Sequence, residues 1–267
     1  MPSLRTVAVT RYVTPLREGG SLPGLVEADD DGLYVLKFRG AGQGTKALVA
    51  ELLAGEIARA LALPVPEIVF VGLDTDLART EPDPEIQDLI RASGGINLGL
   101  DYLSGALAFD PLADPTDADL ASRIVWLDAF VTNLDRTARN TNMLMWHRKL
   151  WLIDHGAALY FHHAGLDDPA AALNAFPLVR DHVLLRRASR LAEVDAALAA
   201  RLTRPVLEGI VGFVPDDWLA GDGGASSADA ADAADAARAA YLDHFLRRLA
   251  APRAFVAEAV RAHDAHV

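Results

Sequence analysis

The fold is decided by one stretch of the chain, Trp126-Leu-Asp-Ala-Phe-Val-Thr-Asn-Leu-Asp135-Arg-Thr-Ala-Arg-Asn140-Thr-Asn142-Met-Leu-Met-Trp-His-Arg-Lys-Leu-Trp-Leu-Ile-Asp154-His-Gly156. It begins with the apolar spacing of an amphipathic helix and continues as a polar loop. Two short apolar runs then predict strands over Met143–Trp146 and Lys149–Ile153. Asp135 therefore lies near the start of the polar loop, and Asp154 lies at the end of the hairpin.

The spacing of these polar residues fits phosphoryl transfer. Transfer of a γ-phosphoryl group needs one carboxylate near the attacking hydroxyl and oxygen ligands that hold Mg²⁺ across the β- and γ-phosphates. Asp135 would supply the first carboxylate. The amide of Asn140 and the carboxylate of Asp154 can turn toward the same cleft and would hold the metal. Asn142 is a rival to Asn140 for this role.

The residues Asn133-Leu-Asp135-Arg-Thr-Ala-Arg-Asn140-Thr-Asn142, followed by Leu-Ile-Asp154-His-Gly, resemble the HipA-like kinases, particularly their short actinobacterial type. Phosphatidylinositol kinases carry a similar Asp-His-Gly or Asp-Asn-Gly. The resemblance implies an α+β, two-lobed protein kinase-like fold, with a small β-rich N-lobe that carries one long helix and a helical C-lobe. It also implies ATP and Mg²⁺ as cofactors, Asp135 as the catalytic residue and a protein Ser or Thr as the acceptor.

Other functions stay open at this point. The acceptor hydroxyl could belong to a lipid or a small metabolite instead of a protein. The chain could also be a pseudokinase that binds nucleotide as an interaction module, or a helical scaffold without a site. The joint presence of Lys37, Asp135, Asn140 and Asp154 argues against the last two possibilities.

Composition sets the broad class. A chain of 267 residues with 51% hydrophobic content can bury two closely packed lobes, which we expect at residues 1–104 and 105–267. It has no run of about 18 apolar residues and no signal-peptide pattern at its start, so we expect no transmembrane segment and a cytoplasmic location. The net charge of −12 opposes binding to nucleic acid, and means that ATP needs a locally positive site.

The first hundred residues predict a small sheet. Alternation predicts strands over Thr6–Thr14, Gly24–Ala28 and Leu33–Phe38. The tip between the first two is rich in glycine, which lets backbone N–H groups approach a phosphate. We therefore assign the nucleotide phosphates to Gly19, Gly20 and Ser21, although an ordinary hairpin fits this tip equally well.

Lys37 lies on the same face of its strand as Leu33 and Val35. A lysine on an apolar face usually has a partner or a role, so Lys37 is either a snorkelling edge residue or the lysine that contacts the α- and β-phosphates.

Two glutamates of a helix predicted over Lys46–Leu63 compete to pair with Lys37. The helical period places Glu56 within the apolar face and Glu51 away from it, which favours Glu56. The resemblance to HipA-like sequences, where a Glu lies about a dozen residues before the Leu-Pro-x-Pro element, favours Glu51. Both assignments stay open.

Three more elements complete the predicted small lobe: a strand over Glu67–Leu73, a short helix over Pro84–Ala92 and a strand over Gly95–Leu103. The link to the second lobe follows the last of these strands. In a kinase, the backbone of Leu100, Asp101, Tyr102 and Leu103 would be the hinge that meets adenine. A lobe connector without a ligand is equally compatible with the sequence.

The C-terminal half predicts helices, the first of them capped by Thr116 or Asp117. Tyr160-Phe161-His162-His163 lies where a kinase keeps its activation segment, and solvent exposure is expected for both histidines. Residues 181–213 are predicted to be mostly helical, and 221–236 to be of low complexity and mobile where glycine is densest. Further helices are predicted over 237–250 and 252–263, with Arg247 and Arg248 on a solvated face.

Overall fold

The computed structural model describes residues 4–16, 22–42, 44–163, 165–166, 170–219 and 227–266. Strands dominate up to Asp101, and helices dominate after it. This confirms the predicted α+β class, with a β-rich N-terminal part and a helical C-terminal part. Among the helices in these ranges, none is both long and apolar enough to cross a membrane.

Five strands form the N-terminal sheet: β1 (Thr6–Pro15), β2 (Gly24–Ala28), β3 (Leu33–Lys37), β4 (Ile68–Leu73) and β5 (Gly95–Asp101). Their order is β1-β2-β3-β5-β4, and β1 also pairs in parallel with β4, so the sheet curves back on itself. The inner face buries alternate residues such as Val26, Tyr34 and Leu36. The phosphate-loop residues predicted from the sequence, Gly19, Gly20 and Ser21, lie outside the described residues.

Helix α1 (Gly44–Ala60) is buried on every side from Leu48 to Ala58. One side packs so closely on β4 that a Cβ on Gly55 would lie 2.5 Å from the Ile68 side chain. The other side contacts helices of the C-terminal part, α5 (Arg204–Val211) and α6 (Asp216–Leu219). The helix is therefore clamped between the two parts of the chain.

Trp218 of α6 fixes this clamp. Its indole N–H donates to the Ile96 carbonyl (3.1 Å), and its ring meets Phe70 edge-on at 5.8 Å. Its own carbonyl accepts a hydrogen bond from the Thr45 hydroxyl at 3.0 Å. A residue of the C-terminal part thus contacts both the sheet and the start of α1.

On the other side of the sheet lies α2 (Pro84–Ala92), which Asp83 caps by accepting from the Glu85 N–H at 3.0 Å. Ile86 and Ile90 of this helix complete the core inside the sheet.

The C-terminal part is built around α3 (Ala118–Phe130), whose Asp117 cap accepts from the Leu120 N–H at 2.8 Å. The remaining helices are α4 (Leu191–Arg201), α7 (Ser227–Leu249) and α8 (Ala254–Asp264). A small antiparallel sheet of β6 (Leu107–Ala108), β7 (Met143–Trp146) and β8 (Lys149–Leu152) covers one end. The helix predicted to start at Thr116 or Asp117 and the hairpin after it are both present.

Residues 181–213 are mostly helical, as predicted, although residues 181–190 are short 3-10 turns and loops and α-helix begins only at Leu191. Three other sequence predictions in this part need correction. Helix α7 reaches back to Ser227, because the alanine-rich repeat that reads as low complexity is also a strong helix former. His162 is buried, since its ring packs under Tyr241 with Nδ1 2.9 Å from the hydroxyl oxygen.

Arg248 is also buried, contrary to the prediction of a solvated Arg247-Arg248 pair. Its guanidinium donates to the carbonyl groups of Ala129, Phe130, Ala172 and Asn174 at distances of 2.7–3.1 Å. Two of these carbonyls belong to the last turn of α3, which lacks intrahelical donors. Arg248 therefore caps α3 from α7, and burial lowers its pKa to about 10.

Candidate active site

Lys37 connects the two parts of the chain. Alternation along β3 buries Tyr34 and Leu36 inside the sheet and turns Lys37 toward α1. Its Nζ lies 3.4 Å from Glu51 Oε2 and 2.5 Å from Asp154 Oδ1. The Glu51 side chain is only 1% exposed and that of Lys37 11%, so one partly buried cation is held between two carboxylates.

The electrostatics keep this group charged. Burial alone would lower the pKa of Lys37, but the attraction of Glu51 and then Asp154 raises it above its usual range. Burial alone would likewise raise the pKa of Glu51, yet the attraction of Lys37 and contact with His155 lower it to about 2. Lys37 and Glu51 are therefore an ion pair at neutral pH.

Glu51, and not Glu56, is the residue that pairs with Lys37, so the prediction from the helical wheel was wrong. Glu56 instead contacts Arg59 of its own helix at 3.1 Å. The helical period could not identify the correct glutamate because α1 is buried on all sides. Apolar residues therefore do not mark the one face of the helix that packs on β3.

His155 is a residue of this site that the sequence did not single out. Its Nδ1 lies 3.5 Å from Glu51 Oε1, and the ring is 1% exposed. Neither ring nitrogen forms a hydrogen bond within the described part of the chain, so the contact is one of proximity and not a formed hydrogen bond. Its position in the sequence could have identified it, because the residue next to Asp154 must lie close to the same cleft.

Asp135 lies in the loop after α3, where both candidate metal ligands meet it. The amide nitrogen of Asn140 donates to Asp135 Oδ2 at 2.7 Å, and that of Asn142 donates to the same oxygen at 3.3 Å. The Asp135 N–H donates to Asn133 Oδ1 at 3.1 Å, which fixes the backbone of the loop. The structure thus brings the two rival amides together at one carboxylate.

Asp154 reaches the same place from the hairpin. The Ile153 N–H donates to the Asn142 carbonyl at 3.0 Å, and the Asn142 amide nitrogen lies 3.4 Å from the Asp154 carbonyl oxygen. The Asp154 backbone is left-handed, with φ of 53°, which turns its side chain out of the strand direction toward Lys37. Loop and hairpin are therefore held side by side.

These groups offer oxygen atoms of the kind that bind a divalent metal ion. A carboxylate only accepts hydrogen bonds, so the amide nitrogens of Asn140 and Asn142 must face Asp135, and their oxygens point elsewhere. Among the described residues, no group of three or more His, Cys, Asp or Glu side chains could hold a metal ion. Mg²⁺ often binds through one or two carboxylates and completes its shell with water and substrate phosphates, which matches this sparse set of oxygens.

A cleft opens beside these residues. Its lining consists of Lys37, Phe38, Ala41, Gly44, Ala47, Leu48, Glu51, Asp154 and Gly156. A Cβ on Gly156 would lie 3.6 Å from Glu51 Oε2 and 3.8 Å from Asp154 Oδ1, in ordinary contact with both.

The predicted hinge lies at the other end of β3. Tyr34 pairs with Asp101 and Lys37 with Leu98, so the two ends are about 10 Å apart along the strand. The N–H of Asp101 donates to the Glu67 carbonyl and that of Tyr102 to the Leu33 carbonyl, both at 2.9 Å. Both donors are used by the sheet. The side chains of Leu100 and Leu103 are buried.

Comparisons with known proteins give one family model and several solved structures that resemble this chain. A family model described as HipA-like kinase matches residues 9–247. A search of curated proteins gives no match to this chain.

Among solved structures, the Helicobacter pylori proinflammatory kinase CtkA is similar, with a TM-score of 0.51 and 13% identity over 98% of this chain and 99% of that one. This likeness shows a shared protein kinase-like fold. The Golgi casein kinase has a TM-score of 0.46 at 12% identity, over 99% of this chain and 73% of that one. A second structure of that kinase, with Mn/ADP bound, has the same score and identity and covers 99% of this chain and 74% of that one.

Proposed function

The chain belongs to the HipA-like kinase family, and we propose that it moves the γ-phosphoryl group of ATP to a hydroxyl group with the help of Mg²⁺. The family and the kinase-like fold support a phosphotransferase. We propose a Ser or Thr side chain of a protein as the acceptor and the cytoplasm as the location. The observation that carries the proposal is the convergence of Asp135, its two amide partners and the Lys37–Glu51–Asp154 group.

In this proposal Asp135 orients and deprotonates the acceptor hydroxyl. Asn140 and Asn142 both donate to Oδ2, so we assign Oδ1 to the hydroxyl. A carboxylate held by two amides keeps one orientation, and a fixed acceptor oxygen contributes to rate by positioning the nucleophile.

The metal ligands in this proposal are Asp154 and the amide oxygen of Asn140, with Asn142 as the rival for the second position. A bound Mg²⁺ would neutralise phosphate charge that an acidic protein otherwise repels. Lys37 would contact the α- and β-phosphates, since Glu51 holds it in the cleft as a cation.

The remaining nucleotide contacts are proposals as well. The Leu103 N–H is the donor that we assign to adenine, because the N–H groups of Asp101 and Tyr102 are occupied in the sheet. Leu100 would support the ring from its buried position. Gly19, Gly20 and Ser21 remain the predicted phosphate loop.

The test is incubation with γ-labelled ATP and Mg²⁺, comparing wild type with Asp135→Asn and, as a control, Asp88→Asn. Asp88 is exposed and forms a surface ion pair with Arg91 at 2.8 Å. The Asp88→Asn substitution should therefore leave turnover unchanged. Asp135→Asn should retain Mg²⁺-ATP binding and lose transfer by orders of magnitude, because Asn is nearly isosteric but is not an anionic acceptor. Equal activity in wild type and Asp135→Asn would refute the assigned role.

The acceptor is identified in the same assay by offering three substrates separately: the protein itself with a generic protein acceptor, phosphatidylinositol vesicles, and a mixture of small hydroxyl metabolites. We expect label on Ser or Thr. Label only in lipid or metabolite would replace the protein acceptor, and binding of Mg²⁺-ATP without any transfer would identify a pseudokinase.

A further inference from the structure

We propose that Asp128 is a positioning residue for phosphoryl transfer, which sets the catalytic loop, the metal-binding hairpin and the 177–187 segment relative to one another without touching substrate. This inference rests on the proposed function. Asp128 lies in α3 and is the only charged residue in the apolar run Ile124–Val131. It is completely buried.

Three donors converge on this carboxylate. Asn133 Nδ2 donates to Oδ1 at 3.0 Å, while Arg136 Nε and His182 Nε2 meet Oδ2 at 2.6 Å and 2.9 Å. Arg136 is 1% exposed, so this is a buried ion pair and not a surface contact.

The tautomer of His182 follows from its second contact. The Leu184 N–H donates to His182 Nδ1 at 3.0 Å, so Nδ1 carries no proton and the hydrogen must be on Nε2. Neutral His182 therefore donates to Asp128. Burial alone would raise the pKa of Asp128, but Arg136 and then His182 lower it below its usual range, so the carboxylate is ionised.

Each of the three donors leads to a different functional segment. Asn133 uses its other side-chain atom, Oδ1, to accept the Asp135 N–H at 3.1 Å. Asn133 thus links the buried carboxylate to the backbone of the proposed catalytic residue.

Arg136 leads to the metal-binding groups. Its Nη1 donates to the Asn142 carbonyl and lies 3.5 Å from the Ile153 carbonyl, next to Asp154. The Arg136 carbonyl in turn accepts from the Val183 N–H at 3.1 Å, beside His182. Loop, hairpin and following segment are thereby fixed to one point in α3.

A stabilising role alone does not account for this arrangement. Replacing a buried ion pair by apolar residues of similar volume is often neutral or stabilising, so such a pair is weak evidence for stability. Placement of the reacting groups is more demanding, because a displacement of about 1 Å can reduce turnover about 100-fold. The Asp128–Arg136 pair, to which three segments are attached, fits a role in placing the reacting groups.

The experiment compares Asp128→Leu/Arg136→Met with a matched control, Asp195→Leu/Arg253→Met. Asp195 and Arg253 form another partly buried pair, at 2.7 Å and 2.8 Å, which contacts α3 through the Trp126 indole and not the catalytic loop. In the Asp128 double variant we expect a cooperative fold, an ATP Kd within a few-fold of wild type and a kcat reduced about 100-fold. The control should keep the wild-type kcat.

Hydrogen exchange supplies a readout that does not depend on activity. In the Asp128 double variant, exchange should accelerate at the Asp135 and Val183 amides, and stay at the wild-type rate in the N-terminal sheet. A kcat within three-fold of wild type, or unchanged exchange at both amides, would overturn the positioning role. Equal losses in both double variants would overturn it too, since they would report general destabilisation.

Arg136→Lys guards against a double variant that does not fold. Lysine keeps the positive charge opposite Asp128 but has one nitrogen in place of Nε, which meets Asp128, and Nη1, which meets the two carbonyls. Positioning predicts a lower kcat at similar stability, whereas simple charge balance predicts wild-type turnover. If the wild-type protein transfers no phosphoryl group, the proposed function fails, and the exchange measurements still decide the role of Asp128.

Discussion

Lys37 and Asp154 are 117 residues apart in the chain, and their side chains meet with Nζ 2.5 Å from Oδ1. This contact joins the N-terminal sheet to the hairpin of the C-terminal part. A bound metal ion would share Asp154 with Lys37, so the first prediction concerns nucleotide binding at this carboxylate.

Asp154→Ala should abolish most of the thermal stabilisation that Mg²⁺-ATP gives to the wild type. Ligand at 100 times its Kd stabilises a fold by about 2.7 kcal/mol, which a thermal shift assay detects readily. Asn140→Ala should reduce the stabilisation less, since Asn142 contacts the same Asp135 oxygen and can substitute. An unchanged melting temperature of the wild type in millimolar Mg²⁺-ATP would contradict nucleotide binding altogether.

Lys37→Met should lower the free energy of unfolding by about 3 kcal/mol, because it leaves the buried Glu51 carboxylate without its cation. Adding Glu51→Gln should recover most of this loss. Urea denaturation of the single and double variants measures both values, with exposed Lys149→Met as the control. If Lys37→Met is as stable as the wild type, Lys37 does not stabilise the buried charge of Glu51.

Stability should fall as the pH drops below about 6.5. Burial lowers the pKa of His162 and His244 from 6.5 to about 3. Between these values the unfolded chain binds protons that the folded chain does not, so their contribution is complete above pH 6.5 and is lost toward pH 3. The expected loss between pH 7 and pH 5 is about 2 kcal/mol for each histidine.

His244→Phe tests this acid sensitivity directly. The His244 ring stacks on Phe161 at 3.5 Å, and in the described part of the chain its buried Nε2 has no hydrogen-bond partner. Phenylalanine keeps the stacking and removes the titrating group, so the melting temperature should depend less steeply on pH. Exposed His266→Phe is the control, and equal slopes in the two variants would refute the assignment.

Arg248→Met should cost at least about 3 kcal/mol of unfolding free energy, since it leaves buried carbonyl groups without donors. Arg247→Met is a matched control at the neighbouring position, where the side chain is exposed and pairs with Asp243. Chemical denaturation should separate the two variants clearly. Similar losses would show that Arg248 acts no differently from a surface arginine.

The proposed catalytic loop and the hairpin could be predicted because their signals are local. Asp135, Asn140 and Asp154 stand at spacings that a loop and two short strands translate directly into proximity. Two short apolar runs, one of them Met143–Trp146, were enough to identify the hairpin before Asp154.

Other contacts could not be predicted because they join distant segments. Arg247 and Arg248 look alike in sequence, but adjacent helical residues point in different directions, and only the packing of α7 on α3 decides which is buried. The choice between Glu51 and Glu56 likewise depends on how α1 lies against β3. Asp128 did carry a signal, a lone carboxylate within an apolar run, yet its partner His182 is 54 residues away.

The clamp around α1 has a consequence for inhibitor design. Trp218, β4 and the helices α5 and α6 enclose the helix that carries Glu51, and an outward swing would strip that helix of its packing on both sides. Compounds that select a displaced helix and fill the space behind it would have to disrupt the core first. Selectivity would therefore have to come from the cleft itself, where Phe38 and Ala41 border the Lys37 cation.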